Sequence, residues 1–157
     1  MSPTVAWQTA EPFFVAGVPA TQGSKRALIP KNARQPVVID TNAAQLRSWR
    51  TAVAQEARVR WETQEIGPVR LELAFLLPKA ASVAKKVVVP ISARSGDLDK
   101  LIRAVFDGLT GIVFADDSQV CDVSAKKRWA IPPTQPGVWV WVSILDRTSD
   151  RRPEQLS

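Results

Sequence analysis

Apolar and polar residues alternate over Val69 to Leu77, where Val69, Leu71, Leu73, Phe75 and Leu77 are set against Arg70, Glu72 and Ala74. That period of two predicts a strand with one buried face, and Pro78 ends it because proline cannot donate to a ladder. The alternation returns from Gly137 to Leu145, through Val138, Val140, Val142 and Ile144, and a further strand is predicted from Gln119 to Trp129. Two short runs rich in Val, Ile and Phe, Pro12 to Val18 and Pro36 to Asp40, are bounded by Pro, Gly or Asn and also predict strands. Elsewhere the period lengthens to three or four. Leu46, Trp49, Val53 and Ala57 predict a helix over residues 42–62, capped by Thr41 or Asn42. Leu98, Leu101, Ile102, Val105, Phe106 and Leu109 predict a second one that begins near Asp97 and stops at Gly111. The order β-β-α-β-α-β-β predicts an α+β fold, a single domain with two main helices packed on one mixed sheet. Residues 10–146 form its folded part, and residues 1–9 and 147–157 are expected to be flexible ends.

A chain of 157 residues, 45% of them hydrophobic, suits one core and not two. The single Cys excludes an internal disulfide, and the absence of His excludes Cys/His zinc sites and histidine-based triads. With no Tyr there is no tyrosine nucleophile. Chemistry is therefore left to carboxylates, lysines, hydroxyls or a metal. The longest apolar runs fall far short of the roughly 20 residues that span a bilayer, and the N-terminus lacks a basic start followed by an apolar stretch. The expectation is a soluble, cytoplasmic protein without membrane contact. The formal charge of +6 favours a polyanionic partner.

Acidic residues gather around the second helix: Asp97 and Asp99 at its start, Asp107 two turns on, and Asp116 and Asp117 after it. Asp99, Arg103 and Asp107 are spaced by four and share one polar face. If the segment Thr110 to Ala115 turns the chain back along the helix, Asp116 or Asp117 reaches the same end and completes a three-carboxylate cluster. Oxygen ligands of this kind suit magnesium, with manganese as the alternative. Each residue also has a plainer role. Asp97 is a natural N-cap, Asp99 meets the helix dipole, Asp107 pairs as readily with Arg103, and Asp116, Asp117 and Ser118 suit a turn. A self-repelling acidic cluster in a chain that attracts anions nevertheless points to metal-assisted phosphodiester chemistry.

Basic residues form three groups without an acid among them. Lys25, Arg26, Lys31 and Arg34 fall between the first two strands, Lys79, Lys85, Lys86 and Arg94 precede the second helix, and Lys126, Lys127 and Arg128 lie on the strand after it. They hold 11 of the 21 basic residues, as a local phosphate-backbone footprint requires and as solubilising surface charge also permits. Of the 6 Trp, Trp49 sits on a helix stripe and Trp139 and Trp141 share a strand face, so packing accounts for them. Trp129, beside the basic triplet, is the one candidate for contact with nucleic acid.

The segment DLDKLIRAVFDGLTGIVFADDSQV, Asp97 to Val120, resembles the RusA family of Holliday-junction resolvases. It combines Asp-x-Asp-x-Leu, a helical Asp eight residues after the second aspartate, and Asp-Asp-x-Gln-Val after a short connection. Gly17 to Arg26 is similar to the family's N-terminal strand and basic loop, and Lys127 to its lysine on the strand after the acidic pair. The resemblance implies a homodimer that binds a four-way DNA junction and makes paired, magnesium-dependent nicks. It implies Asp97, Asp99 and Asp117 as metal ligands and catalytic residues, with Asp116, Asp107, Lys100 and Lys127 in support. The family's best-known members carry a lysine four residues after the second aspartate, where this chain has Arg103. Arg103 is expected to be catalytic by offsetting phosphate charge; if the cation must instead give up a proton, arginine cannot, and Lys100 or Lys127 would serve. Lys25, Arg26, Lys31, Arg34, Lys85, Lys86, Arg94, Lys126 and Arg128 are expected to track DNA. A non-catalytic branched-DNA-binding protein, and a small RNA-binding domain, are the alternatives.

Overall fold

The computed structural model describes residues 5–23, 25–28, 31, 35, 37–40, 42–91 and 95–146. Its spine is β5 (Val69–Pro78), a strand whose alternation buries Val69, Leu71, Leu73, Phe75 and Leu77 on one face. In chain order the elements before it are β1 (Trp7–Thr9), β2 (Phe13–Ala16), β3 (Lys25–Leu28), β4 (Val37–Asp40) and α1 (Ala43–Arg60). After it come α2 (Leu98–Leu109), β6 (Val120–Ala130) and β7 (Gly137–Leu145). β6 lies parallel to β5, which requires a crossover, and α2 is the helix of that crossover. β7 runs antiparallel on the other side of β5, and β1 and β2 pair successive halves of β7. The five-stranded sheet is therefore mixed, with β6 as a long outer edge.

Both helices pack on one face of it. α1 buries Leu46, Trp49, Val53 and Ala57, and α2 buries Leu101, Val105 and Leu109, against Phe13, Val15, Val138, Val140, Val142 and the inward side of β5. Ala104 and Gly108 are buried as well, because the two helices approach too closely for larger side chains. A Cβ on Gly108 would lie 2.8 Å from Val53 Cγ1 and 3.2 Å from the Arg50 carbonyl oxygen. The opposite face carries an aromatic row, with Phe14 and Trp139 centroids 5.3 Å apart and Trp139 and Trp141 6.2 Å apart. Trp139 and Trp141 thus share a strand face as their spacing requires.

Two expectations are corrected. Trp7–Thr9 does not belong to a flexible end but forms a strand on β7, from which Thr9 Oγ1 and Ser143 Oγ make a hydrogen bond of 2.8 Å. The strand after the first basic loop does not join the main sheet. Val37–Asp40 pairs with Lys25–Leu28 in a separate two-stranded sheet, so part of the basic loop is itself a strand. Residues 1–4 and 147–157, expected to be flexible, lie outside the described residues.

Gly137 opens β7 where β2 crosses closest. A Cβ there would overlap the Val15 carbonyl oxygen and come within 2.5 Å of Phe14 Cζ. Backbone held in a ladder cannot retreat as a side chain can, so Gly137→Ala is expected to destabilise the fold by about 1–3 kcal/mol. A urea midpoint equal to that of the wild type would contradict this.

Candidate nuclease site

The chain enters α2 through a corner that only glycine makes cheaply. Gly96 has φ +87°, and a Cβ on it would lie 2.7 Å from Thr21 Cγ2. Asp97 then takes the N-cap position, although its side chain makes no cap hydrogen bond and instead pairs with Lys100 at 3.4 Å. Three hydrogen bonds hold the corner in place. Lys127 Nζ donates to Ser95 Oγ at 3.1 Å and to the Gly96 carbonyl at 2.8 Å, and Gln22 N donates to the Lys100 carbonyl at 3.1 Å. Lys127 therefore acts on this corner as a positioning residue, its ammonium committed to two acceptors.

Asp99 is exposed in the first turn of α2, where its negative charge meets the positive end of the helix dipole. Arg103, one turn on, is exposed too, and among the described residues neither makes an ion pair. Asp107 departs from their row. Each step of four residues advances about 40° beyond a full helical turn, so by Asp107 the row has rotated toward α1. There Asp107 pairs with Arg50 at 3.7 Å and not with Arg103.

At the opposite end of α2 the chain closes tightly. Gly111 N donates to the Phe114 carbonyl at 2.7 Å and Val113 N to the Leu109 carbonyl at 3.0 Å, which stops the return of the chain at the C-terminus of the helix. Asp116 and Gln119 then form a capping box around a short 3-10 turn, Asp117–Gln119. Ser118 N donates to Asp116 Oδ1 at 2.8 Å, and this bond, aided by the Ser118 hydroxyl, holds the Asp116 carboxyl below the ordinary value of 3.8. Gln119 Nε2 donates to the carbonyls of Glu65 and Gly67, both at 3.0 Å, and so anchors the start of β6 beside β5. The turn reading thus holds for Asp116. Gln119 was overlooked as an anchor, although the spacing Asp116-x-x-Gln119 is the signature of a capping box.

Asp97 and Asp117 consequently stand far apart. The 12 residues of α2 make a helix about 18 Å long, with Asp97 at one end and the 110–114 turn at the other. Strand geometry agrees: Lys127, bonded to Gly96, lies seven residues along β6 from Val120, or about 23 Å. The expected return of Asp116 or Asp117 to the Asp97 end does not occur within one chain. Among the described residues no three Asp, Glu, Cys or His side chains gather as a cation-holding group.

Of the three basic groups, the one on β6 reaches the Asp97 corner through Lys127. Lys85 and Lys86 are exposed on a loop fastened to β6, where Trp129 Nε1 and Lys79 Nζ each donate to the Val87 carbonyl at 3.0 Å. Lys79 Nζ also lies 5.8 Å from the centre of the Trp129 ring, and Trp129 is half-buried. The pleat of β6 splits its triplet: Lys127 faces the helices, while Lys126 and Arg128 are exposed on the other face. Lys31 is exposed, and Lys25 and Arg26 are carried by β3. Arg34, Arg94 and the side chains of Lys25 and Arg26 lie outside the described residues. No helix among the described residues is long and apolar enough to cross a membrane.

A protein-family model described as endodeoxyribonuclease RusA matches residues 18–142. A protein of Bacillus subtilis (strain 168), named uncharacterized protein YqaN, is 27% identical over 129 residues, covering 77% of this chain and 89% of the other.

Proposed function

The chain belongs to the RusA family of endodeoxyribonucleases, and from that membership we propose that it resolves four-way DNA junctions by paired, magnesium-dependent nicks as a homodimer in recombination and repair. The observation that carries this reading is the corner at the start of α2, where Asp97 and Asp99 project from a glycine turn fixed by Lys127. Their hard oxygen donors fit a magnesium or manganese ion, but two carboxylates are fewer than the resemblance implies. When bound, the ion supplies activation of water and stabilisation of charge on the phosphate oxygens.

The third carboxylate comes from a second copy. β6 is an edge strand of 11 residues with one side unpaired among the described residues, and Val123 in its first half is 44% exposed. Its first end carries Asp117, and its second half carries Lys127 against the Asp97 corner. Two-fold antiparallel pairing of β6 with its copy, centred near Val123 and Ser124, sets the start of one strand beside the Lys127 region of the other. Asp117 of each copy is then carried toward Asp97 and Asp99 of its partner, giving two sites related by a two-fold axis, as opposite strands of a junction require. Arg103 offsets phosphate charge with its fork of donors, and Asp107 and Asp116 act by holding α1 and the turn. Lys85, Lys86, Lys126 and Arg128, with Lys25, Arg26, Lys31, Arg34 and Arg94, follow the DNA arms through phosphates.

The test is cleavage of a labelled four-way junction and a matched linear duplex by wild type and Asp99→Asn, with and without Mg²⁺. Paired nicks confined to the junction, dependent on the cation and reduced at least about 10²-fold in the variant, are the expected result. Tight junction binding without cutting in any divalent metal would favour the non-catalytic branched-DNA-binding reading.

A further inference from the structure

Both helices lie on one face of the main sheet, and the other face carries Trp139, the one exposed aromatic side chain among the described residues, at 39% exposure. Its ring is held in place by tilted contacts with Phe14 and Trp141. A ring fixed before any partner arrives loses little freedom on binding. The ladder register sets Lys126, Ala74, Trp139 and Phe14 in one row across β6, β5, β7 and β2, and Arg128 and Leu76 in the next row on the same face. Two strand spacings, about 10 Å, separate the backbone of Lys126 from that of Trp139. Lys126 and Arg128 are exposed, and neither makes an ion pair among the described residues. Farther along the face, Arg70 pairs with Asp122 at 3.9 Å, and Glu72 is the ladder partner of Trp141. The uncompensated positive charge is therefore at the Trp139 end.

We propose that this face binds single-stranded DNA, with a base stacked on Trp139 and the adjoining phosphates held by Lys126 and Arg128. The choice of DNA over another polyanion rests on the nuclease reading, and the platform adds to it a contact that lies apart from the cutting site and needs no metal. Phosphates supply the charge that the two cations attract, and a base supplies the flat apolar surface that an exposed, immobile ring receives. In a duplex the base faces are already stacked on one another, so only a single strand offers them. A second copy laid face to face would bring its own Lys126 and Arg128 to a surface that is already positive. Edge pairing through β6 extends the sheet and leaves this face open. The pleat of β6 thus serves two contacts, with Lys127 turned inward to Gly96 and Lys126 and Arg128 turned outward.

The experiment measures fluorescence anisotropy of a labelled oligothymidylate of about 12 nucleotides, and of a duplex of equal length, in EDTA. The proteins are wild type, Trp139→Ala, Trp139→Phe and the double variant Lys126→Ala/Arg128→Ala. Wild type is expected to bind the single strand more tightly than the duplex. Trp139→Ala is expected to weaken single-strand binding about tenfold, and Trp139→Phe, which keeps a ring, to recover most of that loss. The double variant, changed only at exposed positions, is expected to lower the slope of log affinity against log salt by about 1.4. Equal single-strand affinity of wild type and Trp139→Ala, or an unchanged salt slope in the double variant, would overturn the platform. Tighter binding of polyglutamate than of oligothymidylate would assign the face to an acidic protein, and a change of oligomeric state in Trp139→Ala would assign it to a second copy; either overturns it too. The nuclease reading fails separately, by a four-way junction left uncut in Mg²⁺, which the metal-free assay on linear strands does not touch.

Discussion

Mixing two inactive variants, Asp99→Asn and Asp117→Asn, is expected to restore junction cutting. In a dimer whose sites take Asp97 and Asp99 from one copy and Asp117 from the other, a mixed dimer carries both lesions in one site and none in its twin. Random exchange makes about half of the dimers mixed, each with a single working site. Nicking should therefore return to about a quarter of the wild-type rate, from at least about 10²-fold lower for either variant alone. The products should be single nicks, because the opposing site of each mixed dimer is dead. Equimolar mixtures allowed to exchange subunits, then assayed on a junction labelled on all four strands, give the measurement. A mixture no more active than its components would show that each chain completes its own site, for which the structure leaves about 18 Å to be bridged between the two ends of α2.

Phe75→Ala should lower stability by about 3–5 kcal/mol, a large part of the roughly 5–15 kcal/mol available to a domain of this size. Phe75 is fully buried on the central strand, with Lys127 of β6 and Val138 of β7 as its register partners. Loss of its ring leaves a cavity between sheet and helices that a laddered backbone closes only in part. Lys127, which holds the Gly96 corner, would lose its packed neighbour at the same position. Urea unfolding followed by tryptophan fluorescence measures the change, with Phe75→Leu expected to lose less. A loss for Phe75→Ala below about 1 kcal/mol would show that Phe75 is not at the packed centre.

The periodicity of two and of three to four made β5, β7 and both helices legible, since each buries one face against a single core. α1 presents the four residues read from its spacing, and α2 adds Ala104 and Gly108, whose burial comes from the closeness of α1. β1 was illegible because three residues are too few to show a period. The pairing of β3 with β4 was hidden because charge in a loop resembles charge on a small sheet. For the proposed site, Asp97, Asp99 and Arg103 stand out by type and spacing, and Lys127 by the resemblance to the RusA family. The partners of Asp107 and Lys127 do not, because Arg50 and Gly96 come to them from other elements.

By itself the sequence determined what is local: which residues face the core, where α2 begins, that Asp116 suits a turn, and which carboxylates and cations the chain can offer. Hydrophobic period, capping chemistry and charge act over a few residues and are written in order along the chain. Only the tertiary structure decided which of these residues meet. The 110–114 turn closes at the end of α2 and does not lead the chain back beside it, so Asp117 is left at the start of β6, the edge strand beside β5, a full helix length from Asp97. That separation depends on where the crossover sets α2 against β5 and β6, an outcome of packing between residues distant in the chain.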